Sequence, residues 1–119
     1  MPGSRGGYKN IFYVNGLGFG DEGKGSIVDF LTYRYDVSLI IRFNGGPQAA
    51  HHVVTPDSKF HCFSQFGSGA FHAGVKTYLS KFMLIDPISL EMEEDALRRV
   101  GIKNAFQRLF IHENCVVIT

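Results

Sequence analysis

The sequence predicts an α/β fold with a mainly parallel central sheet and flanking helices, and a P-loop-like phosphate loop after the first strand. Three observations point there. An apolar run, Ile11-Phe12-Tyr13-Val14, leads into a glycine-rich turn, Gly18-Phe19-Gly20-Asp21-Glu22-Gly23-Lys24-Gly25-Ser26. Helical periodicity follows at once, with Ile27, Val28, Leu31 and Tyr35 on one face. A second largely apolar run, Val37–Phe43, completes strand, helix and strand over about 30 residues, the length of a βαβ unit. Apolar strands without alternation predict a parallel sheet covered on both faces.

The elements follow in order. Asn10–Asn15 reads as a buried strand, Lys24–Tyr35 as a helix and Val37–Phe43 as the next strand. Asn44-Gly45-Gly46-Pro47 makes a sharp loop. Ala50–Thr55 and Lys59–Ser64 flank the turn signal Pro56-Asp57-Ser58 and read as a hairpin. Gly67–Gly74 is a second glycine-rich loop, and Lys81–Ile85 reads as a strand. Asp86 and Pro87 supply an N-cap and a first helical residue, and Gly101 ends that helix. Its carboxylates Glu91, Glu93 and Glu94 lie toward the N-terminal end and read as a solvated face, with Arg98 and Arg99 in the last turn. Leu109–His112 and Val116–Thr119 are two further short strands. The eleven phenylalanines have no basic residues interleaved and read as core.

A chain of 119 residues is one domain's worth and can bury a core without disulfides. The composition is 45% hydrophobic and 19% charged, that of a soluble globular protein. The formal net charge is +1 and the twelve basic residues are scattered, so neither nucleic acid nor a membrane surface is implied as a partner. Cys62 and Cys115 match no metal spacing and read as free thiols in a reducing, cytoplasmic setting. Residues 1–9 read as a flexible, glycine-rich lead-in. No domain boundary is visible over 10–119, and the apolar run at Val116–Thr119 predicts that this stretch is an incomplete part of a longer domain.

The first glycine-rich loop suits a phosphate. A turn between strand and helix aims backbone N–H groups at one point, where the helix dipole also favours negative charge. Gly18, Gly23 and Lys24 occupy the G-x-x-x-x-G-K positions, but Gly25 stands where a P-loop carries Ser or Thr, and Ser26 comes one later. A true P-loop NTPase is therefore disfavoured. Asp21 inside such a loop would repel phosphate unless a magnesium ion bridges them or the carboxylate serves as a base. The plain alternative is a glycine turn with a solvated Asp-Glu-Lys cluster.

The second constellation is Arg42-Phe43-Asn44-Gly45-Gly46-Pro47-Gln48-Ala49-Ala50-His51-His52. Parallel neighbouring strands put both loops at the same sheet edge, where ligands of α/β sheets bind. A histidine there can act as general acid opposite an aspartate base, its ordinary pKa being about 6.5. Adjacent loop histidines can equally cap backbone groups. His61 alternates with phenylalanines and reads as structural; His72 and His112 carry weaker signals.

Together these constellations resemble the adenylosuccinate synthetase family. The signature W-G-D-E-G-K-G-K stands here as Phe19-Gly20-Asp21-Glu22-Gly23-Lys24-Gly25-Ser26. The signature Q-G-G-N-N-A-G-H-T stands as Asn44-Gly45-Gly46-Pro47-Gln48-Ala49-Ala50-His51-His52. Lys59-Phe60-His61 followed by Gly67-Ser68-Gly69 resembles F-H-x-x-P-S-G, and Ile85-Asp86-Pro87 with Leu90-Glu91 resembles V-D-P-x-x-L-x-E. The resemblance implies a GTP-dependent ligase that joins L-aspartate to the 6-position of IMP or a related purine monophosphate, through a 6-phosphoryl intermediate. It implies that Asp21 is the base and a Mg2+ ligand, and that the Ala50 carbonyl is a second ligand. His51 would be the general acid. Lys24 and the amides of Gly20, Gly23 and Gly25 would hold phosphate, and Gln48 would contact the IMP phosphate. Glu22, Ser26 and His52 complete the candidate nucleotide-binding set. A homodimer is implied for the full-length protein. The chain departs from the signatures at Ser26, Pro47, Gln48, Ala50 and His52. Ala50 for glycine is compatible only with a negative φ. These departures motivate a second reading, a non-catalytic purine-nucleotide-binding module or sensor.

Overall fold

The structure, a computed structural model, describes residues 10–18 and 22–119. The expected lead-in at 1–9 and the positions Phe19, Gly20 and Asp21 lie outside the described residues.

The α/β reading holds. Helix α1 spans Lys24–Tyr35, the expected range, and leads into strand β1, Leu39–Arg42. The hairpin is β2 (His51–Val54) and β3 (Phe60–Phe63), antiparallel, with His51 opposite Phe63. Strands β4 (Lys76–Leu79) and β5 (Leu84–Ile85) precede helix α2, Pro87–Arg99. A 3-10 turn at Phe106–Arg108 leads into β6 (Leu109–Ile111), and β7 is Val116–Val117. The main sheet has the order β1-β4-β6, all parallel, with Leu39 beside Lys76 and Thr77 beside Leu109. Strands β5 and β7 form a separate parallel pair.

Helix α2 begins as the sequence implies. The Asp86 side chain accepts from the amides of Ile88 and Ser89, and Pro87 opens the first turn. After Val100, Gly101 turns with φ +100°, and the Ile102 amide reaches back to the Leu97 carbonyl at 2.9 Å. The core gathers Val53, Phe63, Phe66, Leu79, Met83 and Leu97, each at most 2% exposed.

Several expectations are corrected. Asn10–Asn15 is not a strand, so the glycine-rich loop does not follow a first strand among the described residues. An extended segment becomes a strand only when a neighbouring ladder takes its N–H and C=O groups. This one touches the rest through rings instead, Phe12 on Tyr35 (4.8 Å) and Tyr13 on Phe43 (5.6 Å), and leaves Ile11 and Leu17 almost fully exposed. Nor is the sheet covered on both faces. Leu39, Ile41 and Phe110 share one face with Lys76 and Tyr78 and remain 44%, 58% and 47% exposed. The expected apolar face of α1 is only partly covered, with Ile27 and Tyr35 exposed and Thr32 buried. Many phenylalanines, Phe30, Phe60 and Phe82 among them, lie at the surface rather than in the core. The strand expected at Lys81–Ile85 shrinks to two residues, whereas Lys76–Leu79, the middle strand of the sheet, was not expected. Cys62 and Cys115 are free thiols, both half-buried.

The acidic residues of α2 are not simply a solvated face, because Glu93 and Glu94 are buried. Beyond β3 the chain leaves the hairpin ladder, and its amides need other acceptors. The Glu93 carboxylate supplies them, accepting from Ser64, Gln65 and Phe66 at 2.9, 2.8 and 3.2 Å. His61, buried as expected, lies with Nε2 3.5 Å from the same carboxylate and packs edge-on against Phe63. Arg108 does the converse for the glycine-rich loop, donating to the carbonyls of Ala70, His72 and Val75. His72 Nε2 meets Asp29 of α1 at 2.8 Å, which ties that loop to the helix.

Replacing Glu93 with alanine strands three amides at once. It is expected to lower unfolding stability by about 3–5 kcal/mol in chemical denaturation, more than any exposed carboxylate of α2.

Candidate functional site

The site begins at the N-terminus of α1. Gly23 caps it with φ +75° and ψ +19°, a left-handed conformation that disfavours any residue with a Cβ. Gly23 has no side chain to cap the helix, so the first amides have no acceptor from the cap residue. The Lys24 ammonium pairs with Glu22 Oε2 at 3.1 Å, and Glu22 Oε1 accepts the Gly18 amide at 2.9 Å. The Glu22 carboxylate thus takes two donors that a phosphate would also use.

The second loop leaves β1 and returns as β2. Its carbonyls are held at alternate positions. Phe43 accepts from the Ser80 hydroxyl at 2.6 Å, Gly45 from the Leu84 amide at 2.8 Å, and Pro47 from the Ser64 hydroxyl. Gln48 folds back over Gly46, where a Cβ would come within 2.6 Å of its Oε1. Among the described residues, the non-glycine positions with positive φ are Asp36 and Ser58. Ala50 therefore sits in ordinary backbone, and alanine replaces glycine there without strain.

The two loops meet at Gly25 and His51. A Cβ built on Gly25 would lie 2.6 Å from His51 Cβ and 3.1 Å from its Cα, closer than real Cβ contacts. Glycine is required because two backbones touch, not because of a turn. One residue on, the Ser26 hydroxyl donates to the His52 carbonyl at 3.3 Å, so the serine that replaces the signature lysine links the loops. The result is a cavity of about 480 Å³ bounded by Glu22, Lys24, Ser26, Gln48, Ala50 and His51. A smaller hollow of about 130 Å³ shares Lys24, Gly25 and His51 and adds Arg42 and Ser68 at the carboxyl end of β1.

Positive groups gather on the His51 side of this cavity, and among the described residues Glu22 is the carboxylate that borders it. His51 is driven below its ordinary imidazole pKa first by burial, then by Arg42, Lys24 and His52. Arg42 and Lys24 are the permanent cations close enough to act on this imidazole.

Of the candidate residues, Glu22, Gly23, Lys24, Gly25, Ser26, Gln48, Ala50, His51 and His52 border one cavity. Gly20 and Asp21 lie outside the described residues. Among the described residues no three of His, Cys, Asp and Glu converge as a metal cluster. Magnesium takes one or two protein oxygens and completes its shell with phosphate oxygens and water, and of the two expected ligands Asp21 lies outside the described residues. The other, Ala50, lines the cavity. Arg42, Ser64 and Glu93 were not singled out from the sequence as site residues, and no local pattern marks Ser64 or Glu93, because their role runs through backbone amides and carbonyls.

A parallel strand with a glycine-rich helix N-terminus and a second loop at its carboxyl end defines an α/β protein with a crevice at the sheet edge. The comparisons give this class a family. The family model described as adenylosuccinate synthetase matches residues 13–119. The adenylosuccinate synthetase of Thermoplasma acidophilum is 41% identical over 106 residues, covering 89% of this chain and 23% of the relative. That of Borrelia duttonii is 39% identical over 108 residues, covering 91% and 24%. The fully ligated adenylosuccinate synthetase of Plasmodium falciparum superposes with a TM-score of 0.71 at 28% identity, covering 83% of this chain and 22% of the other. The succinoaminodeoxyadenylate synthetase of cyanophage S-2L, bound to dGMP and to dATP as an energy donor, shares the fold with a TM-score of 0.66 at 24% identity, covering 85% and 27%. This chain belongs to the adenylosuccinate synthetase family. It spans about a quarter of the length of the curated relatives it matches. Among the described residues no helix is long and apolar enough to cross a membrane.

Two measurements check the geometry. Gly25→Ala forces His51 away from the helix N-terminus and is expected to weaken triphosphate binding about tenfold or more by calorimetry, with the fold retained. His51 should titrate by NMR below the free imidazole value of about 6.5, and Lys24→Met should raise its midpoint. The sign for stability follows. A depressed histidine binds fewer protons folded than unfolded, so its contribution falls as pH drops below about 6.5 and levels off below its folded pKa.

Proposed function

We propose that the complete protein is a GTP-dependent ligase that joins L-aspartate to C6 of IMP or a related purine monophosphate. The observation that carries this reading is the contact of Gly25 with His51, which puts a phosphate-type helix terminus and an acid–base side chain on one cavity. Family membership supports the reaction class.

The residues divide the work by charge. Asp21 takes the proton from purine N1, and O6 then attacks the γ-phosphorus of GTP as the bond to the GDP oxygen breaks. The 6-phosphoryl purine so formed is attacked at C6 by the aspartate amine, and inorganic phosphate leaves. Lys24 and the amides of Gly20, Gly23 and Gly25 hold the phosphate oxygens and neutralise their charge, the larger part of catalysis in such transfers. His51 carries a proton to the O6–phosphoryl region. Its pKa is depressed first by burial and then by neighbouring cations, and a bound nucleotide's negative charge opposes the second of these and favours the protonated, donating form. Gln48 contacts the monophosphate's phosphate, and Ser26 and His52 border the same cavity. Magnesium, held by Asp21 and the Ala50 carbonyl, would offset the charge on the phosphate oxygens. A cytoplasmic homodimer, with no nucleic acid or membrane partner, completes the reading.

Asp21→Asn in the complete protein keeps the side chain's size and removes the base. Phosphate release from GTP in the presence of IMP and aspartate is expected to fall by about 10²–10⁴-fold. Turnover retained at the wild-type rate would reject the assignment.

A further inference from the structure

Ser64 stands at the junction of three elements. Its amide donates to Glu93 Oε1 of α2 at 2.9 Å. Its carbonyl accepts from Arg42 Nη1 at the end of β1, and its hydroxyl donates to the Pro47 carbonyl in the loop that carries His51. We propose that Arg42 and Ser64 are positioning residues for the His51 loop, with the buried Glu93 carboxylate as their anchor. The proposal rests on the reading of this cavity as a nucleotide site and extends it to residues that border or lie behind it.

The loop has little rigidity of its own. Among the described residues its internal backbone hydrogen bond is the one from the Ala49 amide to the Gly46 carbonyl, at 3.2 Å. Pro47 has no N–H to contribute. What fixes the loop is therefore external, and of the three carbonyl anchors the Pro47 contact lies nearest to His51 in the chain. That contact is itself held in place. Glu93 fixes the Ser64 backbone through three consecutive amides, and Gln65 locks the same peptide run to α2 by bonding both the amide and the carbonyl of Asp86, at 2.9 and 3.0 Å.

Arg42 closes the arrangement electrostatically. Its guanidinium is half-buried beside Lys24 and His51, where a cation is disfavoured. Burial lowers its pKa and Glu93 opposes that shift, so the two charges offset each other across the Ser64 peptide. A guanidinium that bonds a carbonyl also keeps its fork oriented, which a lysine ammonium in the same place does not.

The test is amide hydrogen exchange on the complete protein, alongside steady-state kinetics, for Ser64→Ala, Arg42→Met and Arg42→Lys. Ser64→Ala and Arg42→Met should each speed exchange at the Ala49 amide about tenfold or more, while Leu97 in α2 and Tyr78 in β4 change less than about twofold. Arg42→Lys should fall between wild type and Arg42→Met. In turnover, kcat should drop about tenfold or more with the nucleotide KM within about threefold, because a displaced acid costs the chemical step before it costs binding. Unchanged Ala49 exchange, or a rise shared equally by Leu97 and Tyr78, would overturn the proposal. If Arg42→Met does not fold, Ser64→Ala decides alone. A wild-type protein without ligase turnover would defeat the functional reading, and the exchange result would still decide the positioning role.

Discussion

One contact governs this molecule: the second residue of α1 touches the backbone of the first residue of β2. Gly25 and His51 are close enough that a single methyl group between them has no place to go. Everything with chemical potential in the chain is organised around that approach. The α1 terminus, whose cap residue is a glycine, faces the histidine loop because of it, and the cavity between them is bounded by both. Glycine contributes here by being small, whereas Gly23 next to it contributes by tolerating a positive φ.

The approach concentrates positive charge. Lys24, Arg42 and His52 all act on His51, and burial disfavours the Arg42 cation itself. A fold selected only for stability would separate them. The cost is offset locally, by Glu22 on Lys24 and by Glu93 across from Arg42. These two compensations differ in kind. The first lies at a half-exposed turn and can be exchanged for a phosphate, while the second is buried behind a peptide bonded at both ends. The first carboxylate therefore belongs to the glycine-rich turn and the second to the frame behind the histidine loop.

How far this was legible in the sequence depends on which force fixed each element. Helix α1 was readable because a glycine turn and helical periodicity are local signals, and α2 because Asp86 and Pro87 announce its start. The hairpin followed from Pro56-Asp57-Ser58. Strand β4 escaped because Lys76-Thr77-Tyr78-Leu79 is short and half polar, although Val75, Thr77 and Leu79 alternate inward and could have marked it. Asn10–Asn15 misled for the opposite reason: its residues suit a strand, but strand formation is decided by a partner ladder that sequence does not display. The candidate residues Lys24, Gly25 and His51 were identifiable as two loops, but the strand pair expected to bring them together is not formed at Asn10–Asn15, and they meet through the close approach of Gly25 to His51. Glu93 could not be found this way. Its partners are main-chain amides, which every residue possesses, so burial alone reveals what it does.

The most direct measurement of the central claim is an NMR titration of the complete protein with a non-hydrolysable guanosine triphosphate analogue. The account predicts that the amides of Gly23, Lys24 and Gly25 and the imidazole of His51 shift together and saturate with a single dissociation constant. Shifts confined to one of the two loops, or two unrelated constants, would contradict it.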